Sequence, residues 1–213
     1  MAHQEGMEFY RKWIGGNWPE VQKWQYDFLQ HKMFHYNPSR TFLDVGCGSL
    51  RLGSRLIRSH DPDKYIGLDV SQELIDYGLK YEMRPSTIEE KRPRFIVNDQ
   101  FDLSSLGDEK VDIAWCFAVF QHCPDWLVKQ ALNNIKSVLA DDGVIFSSWS
   151  SDFGYGMGEQ PDDNYKYDGK QLTFVRYEDE IEALLNECGL TYEHRGDTIK
   201  NGFMIRSVPK ERG

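Results

Sequence analysis

Two acids and a pair of glycines are the residues most suited to chemistry in this 213-residue sequence. Phe42-Leu43-Asp44-Val45-Gly46-Cys47-Gly48 reads as an apolar strand entering a glycine turn, with a helix expected from Leu50. Glycine takes positive φ freely and lets a ligand approach main-chain groups that a Cβ would shield. The helix start beyond the turn adds free N–H groups. A second strand ends at Gly67-Leu68-Asp69, so a carboxylate lies 23 residues after Gly46. A carboxylate there can accept hydrogen bonds from both hydroxyls of a ribose, which points to a nucleoside-bearing ligand. The dinucleotide fingerprint needs a third glycine. Arg51 stands in its place, and Gly53 comes too late. Asp44 would repel a pyrophosphate and suits a positively charged ligand instead.

A second group of candidates lies further along. His122 follows an apolar run, Val111–Phe117. An imidazole, with an ordinary pKa near ~6.5, can move protons at neutral pH. His122 is therefore the candidate base, against a packing or capping role before Cys123-Pro124-Asp125; Tyr10, Asp152 and Tyr155 are weaker candidates for the same task. Arg51 either pairs with an acid or anchors an anionic substrate. Tyr10, Trp13, Gln121, Trp149, Phe153 and Tyr155 are the further residues expected to meet a substrate. The four cysteines form no Cys-x-x-Cys pair and no Cys/His cluster with zinc spacing, so no metal is expected.

These residues need elements to position them. Strand-like runs fall at Thr41–Val45, Tyr65–Leu68, Arg94–Val97, Val111–Phe117 and Val144–Trp149, with helical stretches at Leu50–Ser59, Gln72–Tyr81 and Trp126–Leu139. Asp61-Pro62-Asp63, Gly107-Asp108 and Asp141-Asp142-Gly143 are turn signals. Such alternation predicts a parallel sheet covered on both faces. A helix over Tyr177–Glu187 and strands over Leu190–His194 and Ile199–Val208 follow, the last two joined by a turn at Gly196-Asp197 and hence antiparallel. Ahead of the sheet, residues 5–35 read as helical and are interrupted at Trp18-Pro19, after which Val21, Trp24, Phe28 and Leu29 recur at helical spacing.

Asp44-Val45-Gly46-Cys47-Gly48 resembles the first motif of the class I S-adenosylmethionine-dependent methyltransferases, and Asp69 resembles their ribose-binding acid. Asn98-Asp99-Gln100 is similar to their adenine-contacting segment. Val111-Asp112-Ile113-Ala114-Trp115-Cys116-Phe117 is similar to their fourth strand. Leu139-Ala140-Asp141-Asp142-Gly143-Val144 is similar to the turn before their fifth, with Asp141-Asp142 replacing the usual Pro-Gly. The resemblance spans residues 41–150. It implies a Rossmann-like, doubly wound α/β fold: a seven-stranded sheet, mostly parallel, with an antiparallel C-terminal hairpin strand and an N-terminal helical extension. It also implies S-adenosyl-L-methionine as cofactor and S-adenosyl-L-homocysteine as product. Main-chain groups at Asp44, Gly46, Cys47 and Gly48 would then hold the amino-acid end of the cofactor, and Asp69 its ribose. Val70 would pack on adenine, Asp99 and Gln100 would meet its edge, and the backbone at Cys116 or Phe117 would face the ammonium.

The acceptor is less defined. Cys116-Phe117-Ala118-Val119-Phe120-Gln121-His122 lacks the Asn/Asp-Pro-Pro-Tyr of enzymes that methylate adenine or glutamine nitrogens, and Ser147-Ser148-Trp149-Ser150 lacks the acids of metal-dependent catechol enzymes. The reading is transfer to a small molecule, at a hydroxyl of a natural product, lipid or sugar. Transfer to a nitrogen or a protein, a nicotinamide-dependent oxidoreductase and a non-catalytic partner module are the alternatives. The domain expectation is an aromatic helical extension over 1–40 and a catalytic domain over 41–213, with a flap over 151–175. Nine aromatic residues fall in the first 40 positions. The net charge of -9 disfavours a nucleic-acid partner, and residues 151–193 hold eleven acids against three bases. No window has the ~20 apolar residues of a membrane span. No basic region followed by an apolar run opens the chain, so the expectation is a cytoplasmic protein, monomeric or homodimeric.

Overall fold

The structure, a computed structural model, describes residues 18–32, 37–150, 174, 176–197 and 202–210. Tyr10, Trp13, Phe153 and Tyr155 lie outside them, as does all of the expected flap except 174. The chain divides into two compact halves between Asp99 and Gln100. Among the described residues, seven strands run in the order β3-β2-β1-β4-β5-β7-β6. This is the mixed, mostly parallel sheet expected from the sequence.

In the first half, strands β1 (Phe42–Val45), β2 (Tyr65–Asp69) and β3 (Arg94–Val97) pair in parallel. Phe42, Leu43, Val45, Tyr65, Ile66 and Leu68 are all buried, the continuous apolar burial of a parallel strand covered on both faces. Helix α1 (Trp18–Lys32) carries Pro19 in its first turn and buries Trp18, Val21, Phe28 and Leu29. Trp24 is only half-buried and packs on Phe28, with ring centroids 5.3 Å apart. Helix α2 spans Gly53–Ser59. The helix expected from Leu50 is thus three residues shorter, because Leu50 takes φ 62°, a left-handed conformation that no α-helix accommodates. Helix α3 (Gln72–Glu82) starts at an N-cap, Ser71, whose hydroxyl accepts the Leu74 N–H at 3.2 Å. Helix α4 (Pro85–Lys91), unforeseen in the sequence, has Pro at its first position.

In the second half, β4 (Val111–Cys116) pairs in parallel with β5 (Leu139–Ser150), and β5 pairs antiparallel with β7 (Gly202–Ser207). The turn expected at Asp141–Gly143 proves to be an irregularity within β5. Val111 pairs with Leu139 and Ile113 with Val144, so five steps of β5 face two of β4. Gly143 is needed there, since a Cβ would lie 2.9 Å from the Ala140 carbonyl oxygen. β6 (Glu193–Asp197) pairs antiparallel with β7 as expected, but Gly196-Asp197 belongs to the strand and not to the turn. The connecting residues 198–201 lie outside the described residues. The strand expected from Leu190 starts at Glu193, and Leu190 makes a lone bridge to Pro209. Helix α5 (Asp125–Val138) buries Val128, Ala131, Leu132, Ile135 and Val138, an apolar stripe at helical spacing. Helix α6 (Glu178–Glu187) buries Ile181, Leu184 and Leu185. Among the described residues no helix is long and apolar enough to cross a membrane.

Candidate functional site

The glycine turn of the first half is built from main-chain bonds that β2 supplies. The N–H groups of Gly46 and Cys47 both donate to the Leu68 carbonyl, at 2.7 and 3.1 Å. Gly46 and Gly48 take φ 71° and 51°, and Leu50 repeats the left-handed conformation. A side chain added at Gly48 would meet nothing within 4 Å, so that position faces open space. Gly46 is exposed as well. Other glycines make room for close packing. A Cβ on Gly78 would lie 2.7 Å from Ser49 main-chain atoms, so α3 can seat on the turn only through a glycine.

Asp69 closes the turn. One of its carboxylate oxygens accepts the Gly48 N–H at 2.8 Å, and the other accepts the Ser71 N–H at 2.9 Å. Burial raises its pKa, and the N–H donors of Ser71, Gly48 and Val70 oppose that rise. A carboxylate offers about four acceptor positions, so these donors orient it and leave capacity for a hydroxyl. Beside it, Val70 is 54% exposed, an apolar side chain that the protein itself does not cover. Asp99 and Gln100, on either side of the division between the halves, are exposed.

Asp44 is 4% exposed, and its carboxylate accepts the Tyr65 hydroxyl at 2.7 Å. Burial pushes its pKa up to about 7, with a further rise from the charge of Asp69, against the lowering effects of the Tyr65 hydrogen bond and of Arg51. Tyr65 reaches Asp44 because Gly53 leaves room for it: a Cβ on Gly53 would lie 2.2 Å from the Tyr65 hydroxyl. Arg51 precedes α2 and is not in its first turn as the sequence implied. Burial lowers its pKa to about 10 while the charge of Asp44 opposes the fall. The Arg51 carbonyl accepts the Gln22 side-chain amide of α1 at 2.5 Å, and Gln22 also reaches the Ser54 hydroxyl at 3.0 Å. Cys47 is buried, and its thiol pKa is pushed well up by that burial.

The second half carries its own group of residues expected from the sequence, at the end of β4 and in the loop after it. Cys116 is buried in the sheet, and the Phe117 ring stacks on Trp115 with centroids 6.0 Å apart. Ala118 takes φ 59°, costly for a residue with a Cβ. Its N–H donates to the Ser148 hydroxyl of β5 at 2.7 Å. The chain then makes a single 3-10 turn over Phe120–His122. Gln121 and His122 are half-buried, with Gln121 Nε2 3.2 Å from His122 Nε2. Trp149 is 2% exposed; its indole N–H donates to Ser147 at 2.8 Å, and its ring packs on Phe120 with centroids 5.3 Å apart. Three residues that fix this geometry carry no functional signal in the sequence: Tyr65, Ser148 and Arg176. None belongs to a spaced motif; only their distant partners reveal them. Among the described residues no group of three or more His, Cys, Asp or Glu side chains could hold a metal ion.

Comparison with known proteins bears on this arrangement. A family model described as a methyltransferase domain matches residues 43–145. A ubiquinone biosynthesis O-methyltransferase of Actinobacillus pleuropneumoniae serotype 7 (strain AP76) is 30% identical, the match covering 57% of this chain and 50% of that protein. The chain thus spans about half the length of the curated relatives it matches. Among solved structures, DhpI in complex with SAH superposes with a TM-score of 0.68 at 15% identity, over 99% of this chain and 96% of that one. A S-adenosylmethionine-dependent methyltransferase from Clostridium acetobutylicum ATCC 824 gives 0.65 at 15% identity, over 99% and 100%. The magnesium protoporphyrin IX methyltransferase ChlM of Synechocystis PCC 6803, with bound SAM, gives 0.63 at 15%, over 90% and 80%. At such identities these likenesses establish the fold.

Proposed function

We propose that the chain is a class I S-adenosylmethionine-dependent methyltransferase, a reading that its methyltransferase-domain match over residues 43–145 supports, and that it transfers a methyl group from S-adenosylmethionine to a hydroxyl of a small molecule. The observation that carries this reading is the Asp69 carboxylate, oriented by Gly48 and Ser71 N–H groups beside the exposed Val70. The residues present fit the cofactor: an acid placed for ribose, an uncovered apolar side chain for adenine, and glycines facing open space. When bound, S-adenosylmethionine supplies a methyl group on a sulfonium, ready for in-line displacement. Asp69 binds the ribose hydroxyls, and main-chain groups at Asp44, Gly46, Cys47 and Gly48 hold the amino-acid end. Val70 covers adenine, Asp99 and Gln100 meet its polar edge, and the backbone at Cys116 or Phe117 takes the ammonium.

On the acceptor side, His122 accepts the hydroxyl proton as the oxygen attacks, and Gln121 beside it orients the acceptor. Placement along the sulfur–methyl axis supplies much of the rate. The O-methyltransferase name of the 30%-identical relative supports oxygen as the acceptor atom. Arg51, Trp149 and the undescribed Tyr10, Trp13, Phe153 and Tyr155 are the remaining candidates for shaping the acceptor site. The test is a transfer screen with methyl-labelled S-adenosylmethionine against a panel of phenols, sugars and hydroxylated lipids, with amines and peptides alongside. Label in an ether product of the wild type is expected. Label only in amines or peptides, or none at all, overturns the proposal.

A further inference from the structure

Arg176 is a cation sealed inside the second half, its side chain 3% exposed. Burying a guanidinium is costly unless each N–H group finds a partner, and here all three nitrogens do. Nε donates to the Asp125 carboxylate at 2.8 Å, one terminal nitrogen to the Phe120 carbonyl at 2.9 Å, and the other to the Cys123 carbonyl at 2.6 Å. Its plane also lies near two rings, with the central carbon 5.7 Å from the Trp149 centroid and 5.5 Å from that of Phe174. The main chain next to it adds a fourth tie, since the Phe174 N–H donates to the Gln121 carbonyl at 2.7 Å.

All of the hydrogen-bond acceptors fall within Phe120–Asp125, the 3-10 turn and the start of α5. Residues 174 and 176 engage the carbonyls of Phe120, Gln121 and Cys123 and the side chain of Asp125. At the loop's other end, Ser148 holds Ala118 in its left-handed conformation. A loop fixed at both ends, with a strained residue retained, is what a site needs when a side chain must keep one orientation. The polar side chains left half-buried between the ties are Gln121 and His122.

We propose that Arg176 is the positioning residue of the acceptor loop: it fixes the backbone on both sides of His122 and so sets the direction of Gln121 and His122 toward the acceptor. The assignment rests on the transfer reading above. A lysine could keep the pairing with Asp125, but one nitrogen cannot span three acceptors that a planar fork reaches together.

The experiment compares wild type with Arg176→Lys and Arg176→Gln. It measures transfer over the same acceptor panel, calorimetric affinity for S-adenosylhomocysteine, and hydrogen exchange at the His122 and Cys123 amides, which donate to Val119 and Phe120 carbonyls. Misplacing a reacting group by about 1 Å can cost about 100-fold. Arg176→Gln is expected to lower kcat by about that factor, and Arg176→Lys by about 10-fold. KM and S-adenosylhomocysteine affinity should stay within about twofold, while the two amides exchange about 10-fold faster. Should Arg176→Gln fail to fold, Arg176→Lys carries the test alone. Unchanged kcat, unchanged amide protection, or a parallel loss of cofactor affinity overturns the assignment. A wild type that methylates nothing refutes the transfer reading, and the assignment falls with it.

Discussion

Asp44→Asn probes the buried carboxyl of the glycine turn. Burial raises the Asp44 carboxyl from 3.8 to about 7, a difference worth about 4 kcal/mol. The folded chain therefore holds that proton more tightly than the unfolded chain does. Its contribution to stability is fully present below pH 3.8 and is lost as pH rises through about 7. Between pH 5 and 8 the cofactor-free wild type should lose about 3 kcal/mol from this group, which lowers Tm by about 8 °C for a chain of this size. Asparagine keeps an oxygen for the Tyr65 hydroxyl and carries no charge, so the variant should lose that part of the slope. Binding should show the opposite trend. If a cationic ligand prefers ionised Asp44, affinity for S-adenosylhomocysteine should rise about 30-fold from pH 5.5 to 8 in the wild type and stay nearly level in Asp44→Asn. Urea unfolding and calorimetry across this range measure both, with Asp69→Asn as a control because burial raises Asp69 too. A wild type whose stability is flat from pH 5 to 8, or an Asp44→Asn variant with the same slope, would refute the reasoning.

Asp69→Ala should weaken S-adenosylhomocysteine about 50-fold, because it removes a charge-assisted acceptor and leaves the Gly48 and Ser71 N–H groups without their partner; unchanged calorimetric affinity would remove Asp69 from the site. Gly53→Ala should cost about 1–3 kcal/mol in urea unfolding, since the new Cβ would lie 2.2 Å from the Tyr65 hydroxyl; a neutral result would mean that Tyr65 has another place to go. His122→Ala should lower kcat about 100-fold and leave S-adenosylhomocysteine affinity within about twofold; equal turnover would rule out His122 as the base.

Much of the first half could be read from local sequence. Val45-Gly46-Cys47-Gly48 encodes its turn within a few residues, and Ser71 caps the helix that follows Asp69. The Arg94–Val97 strand falls where its apolar run places it. The misread segments are those in which backbone geometry overrides residue type. Leu50 looks like the start of a helix and is left-handed. Asp141-Asp142-Gly143 has turn chemistry, yet β5 absorbs it as an irregularity. Gly196 suits a turn and lies in β6 with φ 132°.

The same contrast separates the two kinds of site residue. Asp69, proposed for the cofactor side, shows in the sequence because it ends a strand, takes the Ser71 N–H two residues on, and bonds to the Gly48 N–H of the glycine turn. The proposed acceptor loop is held from far along the chain: Ser148 grips Ala118 from 30 residues away, and Arg176 grips Cys123 and Phe120 from 53 and 56 residues away. No periodicity or spacing rule links residues so far apart, and the loop's own residues show no pattern that would announce a clamp. A fixed loop needs such remote ties, because its own short-range bonds, His122 to Val119 and Cys123 to Phe120, close a single turn that is marginal on its own. Acceptor preference should therefore respond to substitutions at the remote ties as well as at Gln121 and His122, whereas cofactor affinity should respond chiefly to the turn and to Asp69.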